Sequence, residues 1–356
     1  MSATITLPTP LFNRPQPWLA GAGFPGRAWL YALVGALALL QMSIASLVGH
    51  VPIFEFFSPR GLGRLLPVMA LPTLMWLTVL TVKVLARGTK RPSALLSAII
   101  LRKRALIARG LILAVIMIAA ARATMAWKAA IPSIVQFHAD PWLIAADRAL
   151  FGTDPWRLTH AVFGPAATAL IDRAYFLWLV ATMFLVTWLV FTRDRRFQLR
   201  GLLSYQLSWL LLGNFGATAL ASVGPCFYDE FYGGADFAPL MATLHADDAV
   251  HPLLALPTID YLRASIGTDN LGAGISAMPS LHVAMAFLMA LCAAYRFGTR
   301  WPSWLAGGFA LIILVGSVHL GWHYAIDGLV SLVGVAAIWW STDYLVERLD
   351  PRTTAN

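Results

Sequence analysis

Long apolar stretches alternate with short polar ones along most of this chain, and each apolar stretch runs for about 20 residues, the length a helix needs to cross a bilayer. Eight such runs are present, near residues 28 to 50, 65 to 86, 108 to 127, 170 to 191, 201 to 222, 280 to 297, 303 to 320 and 323 to 346. The pattern predicts an all-α polytopic membrane protein of about eight transmembrane helices, with both termini on one side. Arg109 and Arg122 interrupt the third run. Residues 1–27 are rich in proline and lack an early apolar region, and the first run is too long for a cleaved leader, so it is expected to stay as an anchor.

Composition narrows the picture. Of the 356 residues, 59% are hydrophobic and 12% charged, whereas soluble domains carry about 25% charge. A cytosolic globule, a disordered tail and a secreted disulfide scaffold are thereby excluded. Two cysteines, Cys226 and Cys292, cannot make a framework of staples. A net charge of +9 would point to nucleic acid in a soluble protein, but here it is a topology signal, because Lys and Arg resist translocation. Basic residues gather on the side of the termini, above all from Lys83 to Arg109 and from Arg193 to Arg200, while most carboxylates lie on the other side. The termini are therefore expected in the cytoplasm. Two long connections, roughly 128 to 168 and 223 to 279, then face the non-cytoplasmic side.

In the first connection, Pro132, Asp140-Pro141-Trp142 and Gly152-Thr153-Asp154-Pro155-Trp156 punctuate a short amphipathic stretch, which reads as a surface connector lying at the interface. In the second, Gly224-Pro225, Gly233-Gly234 and Pro239 mark turns. The 14 tryptophans, including Trp339-Trp340, read as interfacial belts with no part in chemistry.

Ionisable groups in or at the ends of spans are costly and point to function, which selects His282, His319, His323 and Asp327. His282 and His323 are 41 residues apart, the separation at which a hairpin of two spanning helices returns to the same surface. His323 and Asp327 stand at i and i+4, so on a helix the carboxylate can hold one ring nitrogen and leave the other as a basic lone pair. Ser280 and His282 follow Pro279 into a first helical turn, where unpaired N–H groups and the helix dipole favour an anion such as phosphate. An anion cradle, a general acid and an oriented nucleophile describe in-line displacement at phosphorus.

The order Pro279-Ser280-x-His282 followed by His323-x-x-x-Asp327 resembles the type 2 phosphatidic acid phosphatase superfamily. The resemblance implies a nucleophile at His323, a supporting carboxylate at Asp327, a general acid at His282 and a phosphohistidine intermediate. Leu281 stands where the phosphatases have glycine, Ser317 where they have an arginine six residues before the nucleophile, and their upstream Lys-x6-Arg-Pro has no counterpart. The wording of both motifs is closer to the inositol phosphorylceramide synthase branch, and weaker similarity extends the resemblance to roughly residues 120 to 345. It implies a six-helix catalytic domain over 105–346, preceded by a cytoplasmic segment over 1–27 and by two accessory helices with a basic loop over 28–104, and followed by a cytoplasmic tail over 347–356. The substrate would be a lipid phosphate or phospholipid, with a lipid hydroxyl as acceptor if transfer replaces hydrolysis.

Without the arginine, another cation must face the phosphoryl oxygens. Lys128 and Arg173 are the expected clamp. His319, four residues before His323, is expected to share its face and touch substrate, and Tyr228 is a candidate headgroup contact. Neither metal nor organic cofactor is required by this mechanism. Two competing readings are a metal enzyme built on His319, His323 and Asp327, and a transporter or structural protein using Asp172, Arg173 and Asn214 inside the membrane.

Overall fold

The computed structural model describes residues 29–59, 81–86, 92–266 and 274–350, together with Gly63, Leu74 and Thr78. Among these the chain is helical throughout, without a strand. Helix α1 (Trp29–Gly49) is followed by α2 (Pro92–Arg102), α3 (Arg104–Ile134), α4 (Asp140–Phe151), α5 (Pro155–Val162) and α6 (Pro165–Phe191). Next come α7 (Arg195–Leu207), a π-helical continuation over Ser208–Gly216, and three short helices, α8 (Pro225–Tyr232), α9 (Ala238–Val250) and α10 (Ala255–Ala264). The chain ends in α11 (Leu281–Phe297), α12 (Trp301–His319) and α13 (Ala325–Leu349). Five of these helices, α1, α3, α6, α12 and α13, are long and apolar enough to cross a membrane, as in an integral multi-pass protein, and α11 is a shorter apolar helix. The second predicted span, 65 to 86, lies outside the described residues except for Leu74, Thr78 and 81–86.

Helix α7 is the central rod. Every residue from Phe197 to Gln206 is buried, including Gln198, Arg200, Ser204 and Gln206, so this part of the chain faces protein on all sides, where polar groups find partners. Gln198 donates to the carbonyls of Leu189 and Val190, and Ser204 shares a 2.6 Å hydrogen bond with Thr342. One end of the bundle is tied by charge: Arg195 meets Asp350 at 2.6 Å, Arg200 meets Asp343 at 2.8 Å, and Arg109 donates to the Thr192 carbonyl.

The third span is longer than its apolar run, because α3 continues through Lys128 and carries Pro132 in its last turn. Arg122 does not break it, since the guanidinium reaches the Glu55 carbonyl. Helix α1 packs along α3, and Gln41 joins Thr124 and Asn214 in a buried polar contact between the three segments. Asn214 and Asp172, singled out for a transporter, thus have structural work. The Asp172 carboxylate accepts from the N–H groups of Leu254 and Ala255 at 2.7 and 3.0 Å, which caps α10.

Both long connections are built of short helices rather than turns alone, lying at the end of the bundle opposite the charge ties. They supply much of the first hydrophobic cluster, in which Leu143, Ile144 and Trp156 pack with Phe227, Leu240, Leu244 and Ile259.

Candidate active site

The segment that delivers His323 is a tight link between α12 and α13. Gly321 takes φ +75° and its carbonyl accepts from Cys226 N–H, while His323 N–H donates to the Ser317 carbonyl at 2.9 Å. Tyr324 is the N-cap of α13, so His323 stands just before the helix and not on it as expected. The pair meets by a different route: Asp327 folds back in the first turn to accept from Tyr324 N–H at 3.1 Å, which brings Oδ2 to 3.4 Å from His323 Nδ1. That is ion-pair range outside hydrogen-bond geometry, as is common in catalytic pairs before substrate arrives. His323 and Asp327 are both buried.

His282 is the second residue of α11. Its ring packs against Tyr175, centroids 4.8 Å apart, and Trp178, at 4.3 Å, and its Nδ1 lies 3.5 Å from His323 Nε2. The helix begins two residues after Pro279, later than expected, with Ser280 as N-cap accepting from Val283 N–H at 3.4 Å. Leu281 fits a notch in the π-helical segment, where a Cβ on Gly213 would stand 2.6 Å from a Leu281 methyl. Such wide turns recur near functional sites, and here the missing side chain seats the helix that carries His282.

Two cavities of about 360 Å³ each meet at the histidines. The inner one runs into the bundle between Met117, Ile118, Met183, Val186, Tyr205 and Trp209. The outer one is walled by Tyr175, Phe176, Phe227, Tyr261, Leu262 and Trp322. Lys128, Trp178, Leu179, Ser276, His282 and His323 line both.

Of the expected site residues, His282, His323, Asp327 and Lys128 come together. Arg173 does not join them: it is exposed and donates to its own helix at the Ala169 carbonyl. Ser280 is fully buried, lines neither cavity and serves as a helix cap. His319 belongs elsewhere too, because α12 ends at it and the Gly321 turn breaks the helical phase that would align it with His323. Its ring stacks on His160 at 3.8 Å and bonds Thr159 and Thr168, while Thr168 also donates to Asp247. Tyr228 stacks on Tyr232 and lines neither cavity. Among the described residues, no group of three or more His, Cys, Asp and Glu side chains is arranged to hold a metal ion.

The sequence reading missed Ser276, Tyr175, Trp178 and Trp322, all of which line the outer cavity. It also missed two aspartates of α4. Asp140, buried, accepts from Ser222 Oγ, the N–H groups of Val223 and Gly224, and the hydroxyls of Tyr232 and Tyr324. Asp147 accepts from the N–H groups of Ala325 and Ile326 at 2.8 and 2.9 Å and so caps α13 two residues past His323. Burial raises the Asp147 carboxyl above the ordinary carboxylate range, against the opposite pull of those two bonds. The connector helix is thus part of the scaffold of the site.

Gly224 is the pinch point of the outer loops. It takes φ +83°, and a Cβ there would lie 2.7 Å from the Trp322 carbonyl and 3.0 Å from Ala277. Gly224→Ala should therefore cost roughly 1–3 kcal/mol in backbone strain alone and displace the chain next to His323. Thermal unfolding in detergent would register the loss, and turnover should fall at least about tenfold; an unchanged melting temperature and rate would contradict the close contact.

A family model described as the PAP2 superfamily matches residues 141–341, more than half of the chain, and the chain belongs to that superfamily. Membership supports an enzyme of the phosphatase type acting on lipid phosphates. The match includes both histidines and Asp327 and begins after Lys128. Comparison with curated proteins and with solved structures found no match.

Proposed function

We propose that this protein is a phosphotransferase that moves a phosphoryl headgroup, of the inositol phosphate kind, from one lipid to the hydroxyl of another. The observation that carries this reading is the facing of His323 Nε2 and His282 where an inner, apolar cavity meets an outer one. Asp327 beside Nδ1 holds the tautomer that leaves Nε2 its lone pair. In the first half-reaction Nε2 bonds to phosphorus, the bond from phosphorus to the donor's lipid oxygen breaks, and His282 gives that oxygen its proton. In the second, the acceptor hydroxyl attacks phosphorus, its proton passes to His282, and the N–P bond breaks. Both histidines return to their starting state.

An in-line arrangement needs about 3–3.5 Å from nucleophile to phosphorus and about 3 Å from the leaving oxygen to its acid. The two nitrogens, now 3.5 Å apart, must separate by roughly 3 Å as substrate enters on those distances. Lys128 lines both cavities and is, among the described residues, the Lys or Arg available there to the phosphoryl group. The site is proposed to face the non-cytoplasmic side, a reading supported by the basic cluster at the far end of the bundle.

A product assay on the purified protein tests this. Phosphatidic acid, polyprenyl diphosphate and phosphatidylinositol are each supplied with and without ceramide or diacylglycerol. The proposal expects a new phospholipid only when donor and acceptor are both present. Release of free phosphate without acceptor would instead make the enzyme a lipid phosphate phosphatase, and inactivity on every lipid would favour a non-enzymatic membrane protein.

A further inference from the structure

Among the described residues the site contains few positive charges. Among the described residues Lys128 is the one Lys or Arg that lines either cavity, and residues 267–273, which lead into the Gly274 to Ala277 wall, contain none in their sequence. Three other donors stand around the histidines without an acceptor. The Tyr175 hydroxyl, the Trp178 indole N–H and the Trp322 indole N–H are all buried and unpaired, and all three side chains line the outer cavity. Tyr175 and Trp178 pack directly against His282, and Trp322 is the neighbour of His323 in the chain. A buried donor left without a partner is costly, so three around one reactive pair call for a ligand rich in acceptors. Trp209 lies deeper, beside Tyr205 on the wall of the inner cavity.

We infer that Tyr175, Trp178 and Trp322 are neutral phosphoryl-oxygen donors which, with the single ammonium of Lys128, fit the site to a phosphodiester and against a phosphomonoester. Resting on the phosphotransferase reading, the inference names the charge state of its donor substrate. A phosphodiester carries one negative charge, which Lys128 balances while the neutral donors bind the remaining oxygen lone pairs. A monoester carries about −1.5 to −2 near neutral pH. Its second charge would enter a buried site that already holds the Asp327 carboxylate and would meet no second cation among the described residues, a heavily penalised arrangement. Neutral donors aimed at the phosphoryl oxygens would still strengthen as charge develops in the transition state.

The test compares wild type, Trp178→Phe, Trp322→Phe and Tyr175→Phe, each of which keeps the aromatic packing and removes one donor. Substrates are phosphatidylinositol with ceramide as acceptor, and phosphatidic acid of matched chains. Wild type should show kcat/KM at least about tenfold higher for the diester, and each variant should lose roughly 5- to 30-fold on the diester with an unchanged melting temperature. His323-dependent turnover that prefers phosphatidic acid would overturn the inference while leaving the nucleophile in place, as would full diester activity in all three Phe variants. Turnover that survives in His323→Ala would instead overturn the mechanism on which the inference rests.

Discussion

His323→Ala should reduce turnover by at least about 10⁴-fold with the fold retained. The side chain is buried, and its polar partners among the described residues are His282 and the Asp327 carboxylate. Removing it therefore leaves Asp327 as a buried carboxylate that still accepts from Tyr324 N–H, so the start of α13 stays capped. Chemistry suffers far more than structure, because the variant lacks the one imidazole at the meeting point of the two cavities that has a carboxylate beside its Nδ1. Phosphoenzyme trapping with a radiolabelled phospholipid makes the result specific: acid-labile, alkali-stable label should appear on wild type and vanish in the variant. Label that persists in His323→Ala would remove this residue from the mechanism.

Asp140→Ala should be the most destabilising single substitution considered, at roughly 3–5 kcal/mol. Five donors from three parts of the chain converge on this carboxylate. Two are backbone N–H groups that cannot turn to another acceptor, and Tyr324 adjoins the nucleophile. Activity and melting temperature should fall together, with Asp140→Asn in between, since a carboxamide keeps one of the two accepting oxygens. A melting temperature within a degree of wild type in Asp140→Ala would show that the loops hold without this hub.

The histidine pair was legible because two helices of fixed rise impose a fixed spacing on residues that meet at one end, and 41 residues between His282 and His323 satisfies it. PAP2 superfamily membership was legible in the same motifs. His319 was misassigned for a related reason: the i, i+4 rule holds only inside a continuous helix, and the chain turns at Gly321. The aspartates of α4 were passed over because acidic residues between Pro and Trp look like a solvated connector. Their partners, such as Gly224 and Ala325, are 84 and 178 positions away, and no local periodicity encodes a contact of that range. Trp178 and Trp322 were hidden by frequency, since most tryptophans in a membrane protein do sit at the headgroup level. Arg173 looked free to clamp phosphate because sequence gives position along a helix but not which way a long side chain turns.

Helix α4 also sets a phase. Asp140 and Asp147 are seven residues apart, and seven steps of about 100° bring the second carboxylate to within about 20° of the first. That near coincidence lets one helix grip the Ser222 to Gly224 loop with one carboxylate and the start of α13 with the other. Inserting one residue between them would swing Asp147 by about 100° and release α13. Surface connections usually tolerate changes of length; this one behaves like a gear tooth, and homologues that keep the site are expected to conserve the seven-residue interval even where the intervening side chains differ.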